Sequence, residues 1–172
     1  MFAYVPLSGW IALLPIGRIP MATIFVDADA CPVKEEVYRV AKRYEAHVVL
    51  VTNQWMRVPT EPWIDLVVVK EAGGLDDADH YIVEAVEADD IVVTDDIILA
   101  SRCLESGARA LTPRGRQFTS ETIGEALATR ELMADLREAG TLTGGPAPFQ
   151  KRDRSEFLQS LDRIFQAIRK NR

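Results

Sequence analysis

The sequence predicts an α/β protein, a three-layer sandwich around a mostly parallel central sheet. Short β-branched or apolar runs alternate along the chain with stretches whose apolar residues recur at helical spacing. Apolar strands separated by helices are what a parallel sheet covered on both faces requires. Doubled acids stand directly after two of those runs, where an open parallel sheet binds its ligands.

Taken in order, the strands expected are Thr23–Val26, His47–Thr52, Ile64–Val69, Asp90–Thr94 and Arg109–Leu111. Pro32 suits the first position of a helix, and Val33, Val37, Val40, Ala41 and Tyr44 continue it at helical spacing. Residues 76–88 place Ile82, Ala85 and Val86 on one side, and 97–106 do the same with Ile98, Leu99 and Leu104. A longer helix runs from about Ser120 to Glu138 and stops before Gly140. "LTGGPAPF" (142–149) reads as a loop. Phe157, Leu158, Leu161, Ile164, Phe165 and Ile168 form the apolar stripe of a last helix, expected to pack back on the same domain.

The chain has 172 residues, enough for one domain with a substantial core. A net charge of −6 excludes coating nucleic acid by bulk charge, though not a local basic rim. Only Cys31 and Cys103 are present, without the spacing of a zinc site or a disulfide framework, so a reducing cytoplasm is expected. Residues 1–20 are apolar but broken by Pro6, Pro15 and Pro20, too short to span a membrane, with the first basic residue, Arg18, after the apolar run. They are read as an extension outside the fold, and 21–172 as a single domain.

In "IFVDADACPVK", Asp27 and Asp29 follow the first strand, and Asp95 and Asp96 follow "DIVVT". Asp76, Asp77 and Asp79 open the helix leading into that strand. Each of these acids alone is explained by helix capping and the helix dipole. Two strand ends each carrying a doubled acid point further, to a hard divalent cation that offsets the repulsion and activates water at phosphorus. Asp27 and Asp29, one residue apart in an extended chain, face the same side.

Two enzyme classes compete for this pattern. A haloacid-dehalogenase-type phosphatase uses a D-x-D after strand one, a later Thr or Ser, a Lys and a late acidic pair, and the chain offers Asp27 with Asp29, Thr52 with Asn53, Lys70, and Asp95 with Asp96. Against it, a single helix separates Asp29 from the second strand, leaving no room for the flap those enzymes carry. The other class is a nuclease with convergent carboxylates.

"VDADACPVK", "TNQWMRVP", "LDDADHYIV", "VVTDDIILA", "TPRGRQFT", "LREAGTLTGGP" and "KRDRSEF" together resemble the YaiI/YqxD family of uncharacterised bacterial proteins, from about Met21 to the C-terminus. That family is grouped with PIN-like domains, metal-dependent nucleases with acids at the carboxyl edge of a parallel sheet. The resemblance implies a PIN-like fold, Mg²⁺ or Mn²⁺, and phosphodiester hydrolysis in RNA. Asp27 and Asp29 fall in its D-A-D-A-C-P block, Asp76 and Asp79 match its D-x-A-D segment, and Asp96 matches the Asp of a T-x-D element. The family more often has a small residue at Asp95 and Asn at His80, and the fourth acid of PIN nucleases has no clear equivalent here. Asp27, Asp29 and Asp96 are thus the expected catalytic acids, with Asp76 and Asp79 as further metal ligands. The alternatives are the small-molecule phosphatase and a non-catalytic RNA- or nucleotide-binding module.

Basic residues complete the expectation. Asn53, Arg57, Arg114 and Arg116 follow strands and are candidates to contact RNA or another phosphorylated ligand. "PRGR" also offers backbone N–H groups to an anion, while salt bridges to the nearby acids are the competing explanation. Cys31, Cys103 and His47 are read as structural, and His80 has no identifiable metal partner.

Overall fold

The computed structural model describes residues 22–29, 31–69, 77–140 and 147–171. Six strands, β1 (Thr23–Asp27), β2 (His47–Thr52), β3 (Ile64–Val68), β4 (Ile91–Val93), β5 (Arg109–Leu111) and β6 (Gln117–Phe118), form one sheet in the order β3-β2-β1-β4-β5-β6. All pairings are parallel except β5 with β6. Five helices cover it: α1 (Lys34–Tyr44), α2 (Asp77–Ala85), α3 (Ile97–Glu105), α4 (Ile123–Glu138) and α5 (Lys151–Lys170).

Side-chain alternation divides the strands between two cores. Ile24, Val26, Val48, Leu50, Ile91 and Val93 pack under α1 and α5, against Val37, Val40, Phe157, Leu161 and Phe165. Phe25, Val49, Val51 and Val92 face α2 and α3, meeting Ile82, Val86, Leu99 and Cys103. Each fully buried Ile, Leu or Phe contributes about 1.5–3 kcal/mol relative to exposure, so continuous apolar strands are what a two-sided cover demands. Tyr44 stacks on Phe165 with centroids 4.6 Å apart and donates its hydroxyl to Asp162 at 2.8 Å, fastening α5 to α1 as the apolar stripe anticipates.

Several boundaries differ from the sequence reading. α1 begins at Lys34, because the first helical bond runs from Val37 N–H to Val33 C=O and leaves Pro32 in the preceding turn. α3 buries Leu99, Ala100 and Cys103, whereas Ile98, expected on the apolar face, is 44% exposed. Asp90 does not extend β4; its carboxylate accepts from Thr23 N–H at 2.8 Å and Glu87 N–H at 2.9 Å. The two-residue β6 was not anticipated. It turns back from β5 at Gly115, whose φ is +85° and where a Cβ would come within 2.7 Å of the Glu156 backbone in α5. α4 ends as foreseen, with Gly140 at φ +69°. Of "LTGGPAPF", Ala147–Phe149 have irregular structure and the rest lies outside the described residues, as do residues 1–20, Lys70 and Asp76.

Candidate functional site at the carboxyl edge of β1 and β4

The chain moves outward from β1 to β2 and β3, then returns to β4 on the other side of β1. The switch point of this open sheet therefore lies between β1 and β4, whose following helices, α1 and α3, pack on opposite faces, and such points are where open parallel sheets bind their ligands. Ile24 pairs with Ile91 and Val26 with Val93, so the same register sets Asp27 beside Thr94. Thr94 donates its hydroxyl to Asp27 Oδ2 at 2.9 Å and accepts from Asp96 N–H at 3.0 Å. One buried threonine thus links the acids of both strand ends.

Asp29 is held from the other flank. Thr52, at the end of β2, donates its hydroxyl to Asp29 Oδ1, and Asn53 N–H donates to Oδ2 at 3.0 Å. The Thr52 hydroxyl also accepts from Gln54 N–H at 3.1 Å, folding the loop after β2 back on the strand end. Asn53 Oδ1 lies in this turn as the one buried side-chain polar atom without a hydrogen-bond partner among the described residues. An orphaned amide oxygen is a hard donor that loses its hydration on folding and gains nothing from the protein in return.

Asp96 performs the capping role weighed from the sequence. Its Oδ1 accepts from Ile98 N–H at 2.7 Å and Leu99 N–H at 3.2 Å, closing the first turn of α3. Asp27 Oδ1 and Asp96 Oδ2 carry no such bond among the described residues. Burial raises the Asp27 carboxyl above its ordinary value, Thr94 opposes the shift, and the charges of Asp29, Asp96 and Asp95 add to it. Burial likewise raises the Asp95 carboxyl, and the Arg114 guanidinium pulls it back.

Among the described residues no group of three or more His, Cys, Asp or Glu side chains is assembled to hold a metal ion. Each acid is turned to a different protein donor: Asp27 to Thr94, Asp29 to Thr52, Asp96 to α3. The oxygens left over still suit a hard cation, because Mg²⁺ is commonly held by one or two carboxylates with water and substrate phosphate completing the shell. Asp79 stands in the first turn of α2, where its charge raises the Cys103 thiol.

The basic candidates separate. Arg114 pairs with Asp153 at 2.8 Å, donates to Ala147 C=O, and lies over the Phe149 ring. Asp153 also accepts from Gln150 N–H in the capping box of α5, so Arg114 secures that helix. Arg116 is exposed over Phe118 at 5.3 Å, and Arg57 is exposed in the loop after β2. The N–H groups of Gly115 and Arg116 are taken by Thr112, which removes them from the anion site considered for "PRGR". His47, read as structural, pairs with Asp65 Oδ2 at 2.6 Å across β2 and β3. Cys31 is buried, and burial pushes its thiol up to about 11. Sequence reasoning passed over Thr94 and Trp55; the latter is 76% exposed in the loop that Thr52 anchors, a placement its position after an apolar strand already indicated.

Fold and site together define an α/β protein with a mostly parallel sheet whose switch point carries carboxylates after two neighbouring strands. The chain belongs to the uncharacterised YaiI/YqxD family, whose model matches residues 25–167. It is similar to a UPF0178 protein of Rhodospirillum centenum, 53% identical over 88% of this chain and 100% of the relative. It also resembles UPF0178 proteins of Paramagnetospirillum magneticum, 54% identical over 83% of this chain and 93% of the relative, and Sphingopyxis alaskensis, 56% identical over 81% and 90%. No solved structure matches significantly. No helix of the described residues is long and apolar enough to cross a membrane.

Proposed function

We propose that the protein is a PIN-like, divalent-metal-dependent nuclease that hydrolyses phosphodiester bonds in RNA at the β1/β4 switch point. The reading rests on one observation: Asp27 and Asp96, from the ends of neighbouring strands, meet on Thr94 at the switch point where parallel sheets bind ligands. Asp29 and Asp95 are near enough for their charges to act on Asp27. Asp27 and Asp96 each keep one oxygen without a protein donor, and the orphaned Asn53 Oδ1 adds a third hard oxygen on the same edge. Mg²⁺ or Mn²⁺ held there supplies a neutralising charge and an activated water.

The residues divide the remaining work. Thr94 holds Asp27 in one rotamer while its hydroxyl fixes the start of the Asp96 turn. Thr52 and Asn53 orient Asp29 as a positioning carboxylate. Arg57, exposed in the connection from β2 to β3, would supply a fork for a phosphate. Trp55 presents an indole on which an unpaired base stacks, which favours a polynucleotide over a small phosphorylated molecule. Only α1 lies between β1 and β2, which also weighs against a phosphatase with a flap after its nucleophile.

The test is cleavage of an end-labelled single-stranded oligoribonucleotide with Mn²⁺, with EDTA, and by Asp27→Asn. Cleavage is expected with Mn²⁺ alone and only from the parent protein. Failure to cleave in Mn²⁺, with a melting temperature unmoved by the ion, overturns the proposal; binding without cleavage identifies a non-catalytic module instead.

A further inference from the structure

A second feature begins where the acidic edge ends. α3 starts immediately after Asp96, and its first residue, Ile97, lines a cavity of about 370 Å³ between α3, the β5–β6 turn and α4. Ile97 and Ala126 supply apolar wall, and Arg116, Arg130 and Arg137 surround it, with Glu125 as the single acid. Ala126, Arg130 and Arg137 stand four and seven residues apart on α4, so they share one helix face.

Pairing separates these arginines from five that are tied to the fold, and their grouping around one cavity separates them from scattered ones, such as Arg39 and Arg169, that are also unpaired among the described residues. Arg43, Arg109, Arg114, Arg152 and Arg154 are each committed to a carboxylate. Arg116, Arg130 and Arg137 make no ion pair among the described residues; Arg116 only rests on the Phe118 ring. Three unpaired guanidinium groups around one cavity repel one another, which an anion relieves. Arg130 and Arg137 lie two turns apart, about 10 Å along the axis, a spacing that lets each meet a different phosphate of one strand. α4 buries Ala126 alone, so the fold gains little from holding this helix against α3.

We propose that this groove binds the phosphodiester backbone of single-stranded nucleic acid and leads it to the Asp27–Asp96 edge. The inference rests on the reading of that edge as a site acting on RNA, but binding is tested without metal or cleavage. Anisotropy of a labelled oligouridylate in EDTA compares the full chain with Arg130→Ala/Arg137→Ala. The control, Arg39→Ala/Arg169→Ala, removes the same charge from exposed positions on α1 and α5.

The groove variant is expected to bind at least tenfold more weakly with an unchanged melting temperature. The slope of log affinity against log salt should become shallower by about 1.4, two phosphate contacts at about 0.7 each. A loss no larger than the control's overturns the proposal, as does absence of binding by the parent. Displacement of the oligonucleotide by equimolar uridine monophosphate or inorganic phosphate also overturns it, in favour of a small phosphate ligand. If the groove variant loses binding while the parent does not cleave RNA in Mn²⁺, the groove stands and the nuclease reading falls.

Discussion

Thr94 and Asp27 lie side by side on β4 and β1, and the Thr94 hydroxyl donates to Asp27 Oδ2 at 2.9 Å. This bond is the main influence holding down a carboxyl that burial and three neighbouring acids push up. Thr94→Val removes it while keeping the shape of the side chain. At pH 7 the variant should lose about 1 kcal/mol, the usual net worth of such a bond.

The pH dependence of that loss has a definite sign. A carboxyl whose folded pKa is raised holds its proton more readily folded than unfolded. Stability therefore falls as pH rises from the ordinary carboxylate value through the folded one. Thr94→Val raises the folded value further and widens this window, so its deficit should grow between pH 4 and pH 7. Urea midpoints at both pH values in EDTA measure it; a deficit independent of pH shows that the hydroxyl does not act through Asp27.

Asp96 combines a helix cap with the proposed metal role, and two substitutions separate them. Asn caps as well as Asp, so Asp96→Asn should leave metal-free stability almost unchanged, whereas Asp96→Ala should lose about 1 kcal/mol. Asp27→Asn should raise metal-free stability by relieving repulsion. Mn²⁺ should raise the melting temperature of the parent by mass action and of none of these variants. A full Mn²⁺ response in Asp96→Asn reduces this residue to a cap.

Arg114 and Arg116 flank one glycine yet should behave oppositely. Asp153 is 8% exposed at its side chain, so Arg114→Ala strands a buried carboxylate at the start of α5. Because Arg114 itself is 37% exposed, we expect a loss of about 2 kcal/mol, below the 3–5 kcal/mol of a fully buried pair. Arg116→Ala should stay within about 0.5 kcal/mol of the parent, as surface changes do. Equal losses in chemical denaturation contradict this division.

Cys31 sits close to the acids but is held inert. With burial raising Cys31 to about 11 and Cys103 to about 12, few thiolates exist at pH 8. Neither should be alkylated by iodoacetamide in the native protein, while both react in urea. Mass spectrometry reads the difference, and fast native labelling of Cys31 removes the structural assignment.

Local patterning determined most of the fold. Apolar runs at His47–Thr52 and Arg109–Leu111 became strands at those residues, and the stripe from Phe157 to Ile168 became the packed face of α5, because burial periodicity is written residue by residue. The same logic marked the two acidic strand ends, since a parallel sheet brings its carboxyl ends to one edge. β6 was invisible because two residues hold too little pattern, and its turn depends on how closely Gly115 meets α5.

Tertiary structure alone decided how those acids and bases are used. Thr94 meets Asp27 across 67 residues, and Arg114 meets Asp153 across 39. Nothing in either local sequence specifies the partner; strand order and the docking of α5 do. Asp96 likewise looks the same as Asp95 in "VVTDDI", yet only Asp96 caps α3, because that is where the backbone of β4 turns into the helix. Charge pairing depends on distance in space, whereas hydrophobic patterning depends on distance along the chain, and only the second can be read from sequence.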